Sequence, residues 1–283
     1  MNIYARLDQL RRAVNLGSSH AGEDARLLDI AEQVSRAIDD YIGYPAYELA
    51  GVAYAALERY CEANGWGTHA YLARPLVSVT SIEVDEDRDG VYELSLTPAD
   101  YVLEPDGADA IGRPYWKIRL QPWGALGRIP AFPRALRITG VHGWPFRRIE
   151  TGRTVTCAAA GTALTASGPL TDLVHPGDIV MLDDERMYVE AVAGSAFTVR
   201  RGVNGSAAAA HAGAELKVLE PPAALARAML AWMGRMSWDE LGGWQGSVML
   251  TDAGGGAGYG SRSTTTWSAV RALLAPYRRV AVA

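Results

Sequence analysis

Apolar positions along this chain recur at two different spacings. Tyr4, Leu7, Leu10 and Val14 stand three or four apart until Leu16-Gly17-Ser18-Ser19 interrupts them, which predicts a first short helix. Leu27, Ile30, Val34, Ile38 and Tyr41 predict a second, with Glu23 and Asp24 at its positive end and Gly43 and Pro45 as its stop. Tyr47 to Ala63 is read as a third helix, burying Ala53, Leu57 and Cys61 or their neighbours and ending at Asn64-Gly65. The three segments predict an antiparallel helical cluster, because each needs another's apolar stripe for burial.

From Leu72 the period becomes two. Val77, Val79, Ile82 and Val84 predict a strand, Asp85 to Gly90 a turn, and Val91 to Leu96 a return strand. Further strands are expected at Tyr101 to Glu104, Tyr115 to Leu120 and Leu136 to Val141, joined by connections that carry Pro122, Pro130, Pro133 and Pro145. Gly177 to Leu182, Arg186 to Val192 and Ala196 to Val199 are short apolar or β-branched runs before Gly202 and Asn204-Gly205, the marks of an all-β unit.

The helical period then returns. Pro221-Pro222 opens a helix carrying Leu225, Met229, Trp232 and Met236, with proline in the first turn where its missing N–H is tolerated. After the Gly/Ala-rich linker Asp252 to Gly260, the hydroxyls of Ser263 to Thr266 can cap a last helix with Trp267, Val270, Leu273 and Leu274 before Pro276. The expected fold class is α+β: an antiparallel helical bundle frame with a β-hairpin and small sheet at 1–149 and 221–260. A small all-β barrel or sandwich is inserted at 150–220, and a C-terminal docking arm follows at 261–283.

A 49% hydrophobic content over 283 residues is ample for packed cores, so disorder is not the default. The formal charge of -5 argues against a protein that holds nucleic acid by neutralising phosphates. Cys61 and Cys157 have no CxxC spacing, which makes a disulfide scaffold or zinc site an unfavoured reading. No signal-peptide pattern and no run of eighteen apolar residues occurs, so no membrane partner is expected. Charge is uneven: after Asp252 there is no acidic residue, and Arg262, Arg271, Arg278 and Arg279 make the remainder +4. That segment is read as either a docking arm for an acidic partner or a terminal helix packed on its own domain.

Candidate chemistry is sparse. Asp85 to Gly90 matches the first half of a calcium loop, but Leu96 stands at the twelfth position where a bidentate Glu is required, so a charged hairpin turn is expected. Gly254 to Gly260 follows no strand and lacks the Lys-Ser/Thr of a phosphate loop. His20, His69, His142, His175 and His211 are scattered and assemble neither a metal set nor a general base. Asp183-Asp184-Glu185 is read as a solvated turn; a hydrolase using these carboxylates would need a pocket that joins them to a histidine. No enzymatic activity, cofactor or metal is expected.

Four stretches carry a resemblance: Tyr4 to Leu10 leading into the helix with Ala31 to Tyr41; Leu72-Ala73-Arg74-Pro75-Leu76-Val77 through Ile82; Arg137-Ile138-Thr139-Gly140-Val141-His142-Gly143-Trp144-Pro145; and Tyr259-Gly260-Ser261 with Leu273 to Arg279. In this order they resemble the head-to-tail connector, or adaptor, proteins of long-tailed bacteriophages, over most of 1–149 and 221–283. The insert departs from the compact members, and its own pattern around Gly177-Asp178, Met187-Tyr188-Val189 and Arg201 to Gly205 resembles a small β module of other phage structural proteins.

The resemblance implies a structural virion protein in the neck, assembled in the host cytoplasm. It implies a homo-oligomeric ring, twelvefold by expectation, beneath the portal protein and above a stopper or tail-terminator ring. Double-stranded DNA would pass its channel without specific binding. The portal-docking residues would be Arg262, Trp267, Arg271, Tyr277, Arg278 and Arg279. The alternative is a tail-tip, collar or fibre-attachment protein whose β module binds a surface or carbohydrate.

Overall fold

The computed structural model describes residues 2–14, 22–56, 67–130, 132, 134–241 and 263–278. Contacts divide the chain into two units. One takes in Met1–Gly43, Arg147–Arg201 and Ala208–Arg279; the other is built from Tyr44–Phe146 with the loop Gly202–Ala207.

The first unit opens with α1 (Leu7–Ala13) and α2 (Asp24–Ile42). The apolar stripe of α2 buries Leu27, Ala31, Val34 and Ile38, and the helix stops where Gly43 adopts φ +93 and returns its N–H to the Asp39 carbonyl at 2.8 Å. Tyr4 is fully buried: its backbone N–H donates to Ser35 Oγ at 3.3 Å and its hydroxyl donates to Asp39.

The second unit is a six-stranded antiparallel sheet made of β1 (Leu49–Ala56), β2 (His69–Val84), β3 (Leu94–Leu96), β4 (Tyr101–Glu104), β5 (Tyr115–Leu120) and β6 (Leu136–His142). The order is β1-β6-β2-β5-β4, with β3 paired to β2 and the end of β1 also paired to β2. Its core is aliphatic, centred on Leu76, Ile82, Ile118, Leu136 and Ile138. The connection after β6 is tied back to the start of the unit: Trp144 Nε1–H donates to the Tyr44 hydroxyl at 2.7 Å, and the Phe146 N–H donates to buried Glu48 at 2.8 Å.

The expected third helix is overturned here. Leu49 to Tyr54 form an antiparallel ladder with β6, from Leu49 opposite His142 to Tyr54 opposite Arg137. The alanines of this stretch favour a helix intrinsically, but that propensity is worth only tenths of a kcal/mol per residue, and a complete ladder with an aliphatic strand outweighs it. Residues 57–66, with Cys61, lie outside the described residues.

The remaining strands belong to the first unit: β7 (Arg147–Cys157), β8 (Ala163–Thr165), β9 (Ile179–Leu182), β10 (Glu185–Ala193), β11 (Ala196–Arg200) and β12 (His211–Glu220). They pair antiparallel in the order β7-β12-β9-β10-β11-β8. A single bridge from Val155 to Ala166, with the Ser167 N–H donating to the Thr154 carbonyl at 2.9 Å, brings the first and last strands together and curls the sheet on itself. The contact covers part of both edge strands, so the sheet is a partly closed half-barrel. Inside lie Val155, Leu164, Leu170, Val180, Leu182, Met187, Val189, Phe197, Leu216 and Val218. Arg6 bonds this part of the same unit to the N-terminal segment, reaching the Leu173 carbonyl at 2.8 Å and Asp178 at 3.1 Å.

Two helices follow, α3 (Ala223–Leu241) and α4 (Ser263–Leu274). The expected helical bundle frame with a hairpin is therefore corrected: the described residues form two six-stranded antiparallel sheets and four α-helices. The helices' apolar stripes were legible, but the sheets carry most of the core.

Candidate functional site

The six residues implied in docking fall on or around α4. Arg262 and Arg279, and the side chain of Trp267, lie outside the described residues. Arg271 is exposed. Tyr277 is buried together with Val270 and Leu274. Arg278 is exposed, with its guanidinium 5.6 Å from the centre of the Tyr41 ring on α2. Arg271 and Arg278 thus present charge outward, whereas Tyr277 is spent on the interior of its own unit.

The acidic turn after β2 is closed by its own carboxylates. Asp85 is buried and accepts the N–H groups of Arg88 at 2.7 Å and Gly90 at 3.1 Å, and Asp89 accepts that of Val91 at 2.7 Å. The side chains of Asp85, Asp87 and Asp89 could converge on a cation, but their hydrogen bonds are those of a charged turn.

Asp183 and Asp184 are the two central residues of the β9–β10 hairpin, with Leu182 opposite Glu185. Asp183 takes φ +49, as such a turn demands. Glu185, however, points inward. Its carboxylate receives both Nε and Nη2 of Arg201, at 2.7 and 2.6 Å, the Ala209 N–H at 3.0 Å and a contact with His211 Nε2 at 2.9 Å. The other His211 nitrogen lies 2.7 Å from Asp183. Arg201 also donates to the carbonyls of Ala158 and Gly161, each at 2.9 Å. Its hydrogen bonds to Glu185 raise its already high pKa.

The structure therefore does join Asp183 and Glu185 to a histidine. The hydrogen bonds of Glu185, Arg201 and His211 run to one another, to Asp183 and to backbone, so the cluster is a clamp holding the start of β12 to the hairpin. Sequence spacing hid it because His211 meets Glu185 only through the pairing of β12 with β9.

Among the described residues His142 in β6 is the other buried histidine, and neither of its ring nitrogens has a hydrogen-bond partner there. Burial lowers its pKa, and the positive charge of Arg74 acts in the same direction, opposed by nearby backbone groups of Ile138 and Gly51. With the folded pKa depressed, the contribution of the neutral ring is fully present above the ordinary value of about 6.5 and is lost as pH falls below it. Denaturant midpoints should therefore drop between pH 7.5 and 5, and His142→Gln should flatten that slope; an unchanged slope in the variant would show that another group titrates.

Among the described residues no helix is long and apolar enough to cross a membrane. No family model and no curated protein matches the chain. Among solved structures, a chain described as "Neck of empty GTA particle computed with C6 symmetry" is similar, at 16% identity and a TM-score of 0.40, over 99% of this chain and 92% of that one. A likeness of that size carries no argument about architecture or role.

Proposed function

We propose that this chain is a non-enzymatic structural protein of a phage-like neck: a connector that forms a ring beneath the portal and joins the DNA-filled head to the tail. The observation that carries the reading is the order of the four family-like stretches along the sequence. Physically, a ring subunit needs rigid parts, and extensive antiparallel pairing supplies one sheet in each unit. It also needs an interface between unlike surfaces that closes by rotation. An acid-free terminal segment with outward Arg271 and Arg278 suits docking on an acidic partner surface, and a net charge of -5 suits a channel that lets DNA slide without holding it. On this reading the portal and a stopper or tail-terminator ring are its neighbours.

The test is electron microscopy of lysates from a particle with this gene disrupted. Empty or leaking heads beside finished, unattached tails are expected. Intact tailed particles that fail to adsorb would move the protein to the tail tip or fibres.

A further inference from the structure

Trp123 is 76% exposed, the most exposed of the large apolar side chains on the described surface. It does not sit on a slack loop. The Gln121 N–H donates to the Asp100 carbonyl at 2.8 Å, the Gly124 N–H closes the turn on the Gln121 carbonyl at 3.0 Å, and the Ala125 N–H donates to Asp100 Oδ1 at 2.8 Å. Asp100 is itself fixed through Oδ2, which accepts the Thr97 N–H at 2.7 Å and hydroxyl at 2.6 Å. The turn that carries this indole is fixed by its backbone bonds, so the side chain exposes apolar surface to water from a segment whose backbone ordering cost is already met within the fold. That combination characterises a binding anchor.

The other unit of the chain carries an open cleft of about 290 Å³. Ile3, Leu28 and Tyr188 give it apolar walls, and Glu32, Glu190 and Arg200 bring charge to its lining. Arg200 pairs with Glu190 at 3.2 Å and lies 5.8 Å from the centre of the Tyr188 ring. An indole has a large apolar body, a π face and one N–H donor with no acceptor. This cleft offers an apolar wall for the body, a guanidinium for the face and carboxylates for the donor.

We propose that Trp123 of one copy seats in the Ile3–Leu28–Tyr188 cleft of a second copy. Anchor and cleft are different surfaces, so a contact made in one direction only is head to tail, the kind that repeats around a ring and closes when the rotation divides the circle. The proposal deepens the ring reading and rests on it.

The test is sedimentation equilibrium of the full chain and of two variants, Trp123→Ala and the cleft-filling Leu28→Trp, with melting curves as a folding control. Wild type should self-associate, and each variant should weaken association by at least about tenfold. Trp123→Ala should melt as wild type does. A second measurement stands apart from Leu28→Trp folding: Trp123→Cys and Leu28→Cys chains, each with Cys61 and Cys157 replaced by Ser, are mixed under oxidant and should cross-link as pairs.

Wild type that stays monomeric at millimolar concentration would overturn the contact, as would Trp123→Ala associating like wild type. A loss only with Leu28→Trp would mean that the cleft takes another occupant and would equally overturn it. The neck reading fails separately, in the gene-disruption experiment: cross-linked pairs from a protein whose loss leaves heads and tails joined would retain the contact and discard the neck.

Discussion

Gly143→Ala is expected to destabilise the protein by about 3 kcal/mol or more, because strain and overpacking coincide at this position. Gly143 holds φ +118, a backbone conformation that L side chains rarely adopt, and an added Cβ would stand 2.2 Å from the Tyr47 carbonyl oxygen and 2.8 Å from its carbon. The chain cannot retreat easily. The Gly143 N–H is bonded to the Pro75 carbonyl at 2.8 Å and the Trp144 N–H to the Ala46 carbonyl at 2.9 Å, so three segments are fixed at one crossing. Urea denaturation followed by tryptophan fluorescence measures the loss, and a midpoint equal to wild type would refute the tight crossing. The same stretch, Gly143-Trp144-Pro145, is one of those that carry the family resemblance, which gives that part of the pattern a structural reason.

Glu185→Ala should cost about 3–5 kcal/mol, the range for removing one partner of a buried ion pair. The side chains of Glu185 and Arg201 are 1% and 6% exposed, so little solvent is available to take over when the carboxylate is gone. The variant would leave the guanidinium without its carboxylate partner, facing the carbonyls of Ala158, Gly161 and Ala209, and would strip His211 of its inner contact. Asp183→Ala should cost far less, since that carboxylate is 67% exposed and water replaces its contact with His211. Thermal melts of the two variants separate the claims: equal losses, or a loss confined to Asp183→Ala, would place the clamp elsewhere.

Where local pattern and tertiary environment agree, residue spacing alone is enough to place the element. The α2 stripe and its Gly43 stop, a helix within 263–274, and the strands at Tyr101–Glu104, Tyr115–Leu120 and 179–182 all stand where spacing and punctuation put them. Asp183-Asp184 as a turn was legible for the same reason, since a hairpin's turn chemistry is local. The strand Leu49–Ala56 left no such mark because an Ala-rich stretch has no strong period of its own, and the partner that makes residues 49–54 a strand lies on β6, over eighty residues away.

The candidate site divides in the same way. Acid-free residues 253–283 were visible as charge, and charge needs no coordinates. That Tyr277 is buried while Arg271 and Arg278 face outward depends on how α4 packs, which side-chain spacing alone did not decide.

By itself the sequence determined the helical stripes, the alternating strands, the turns and the distribution of charge, because each depends on neighbours within a few residues. Only the tertiary structure decided that the sheets dominate the core, that Glu185 turns inward to Arg201 and His211, and that Trp123 is exposed on a pinned turn. These depend on strand register and on loops pinned by distant backbone groups, and such long-range pairings leave almost no mark on local residue order.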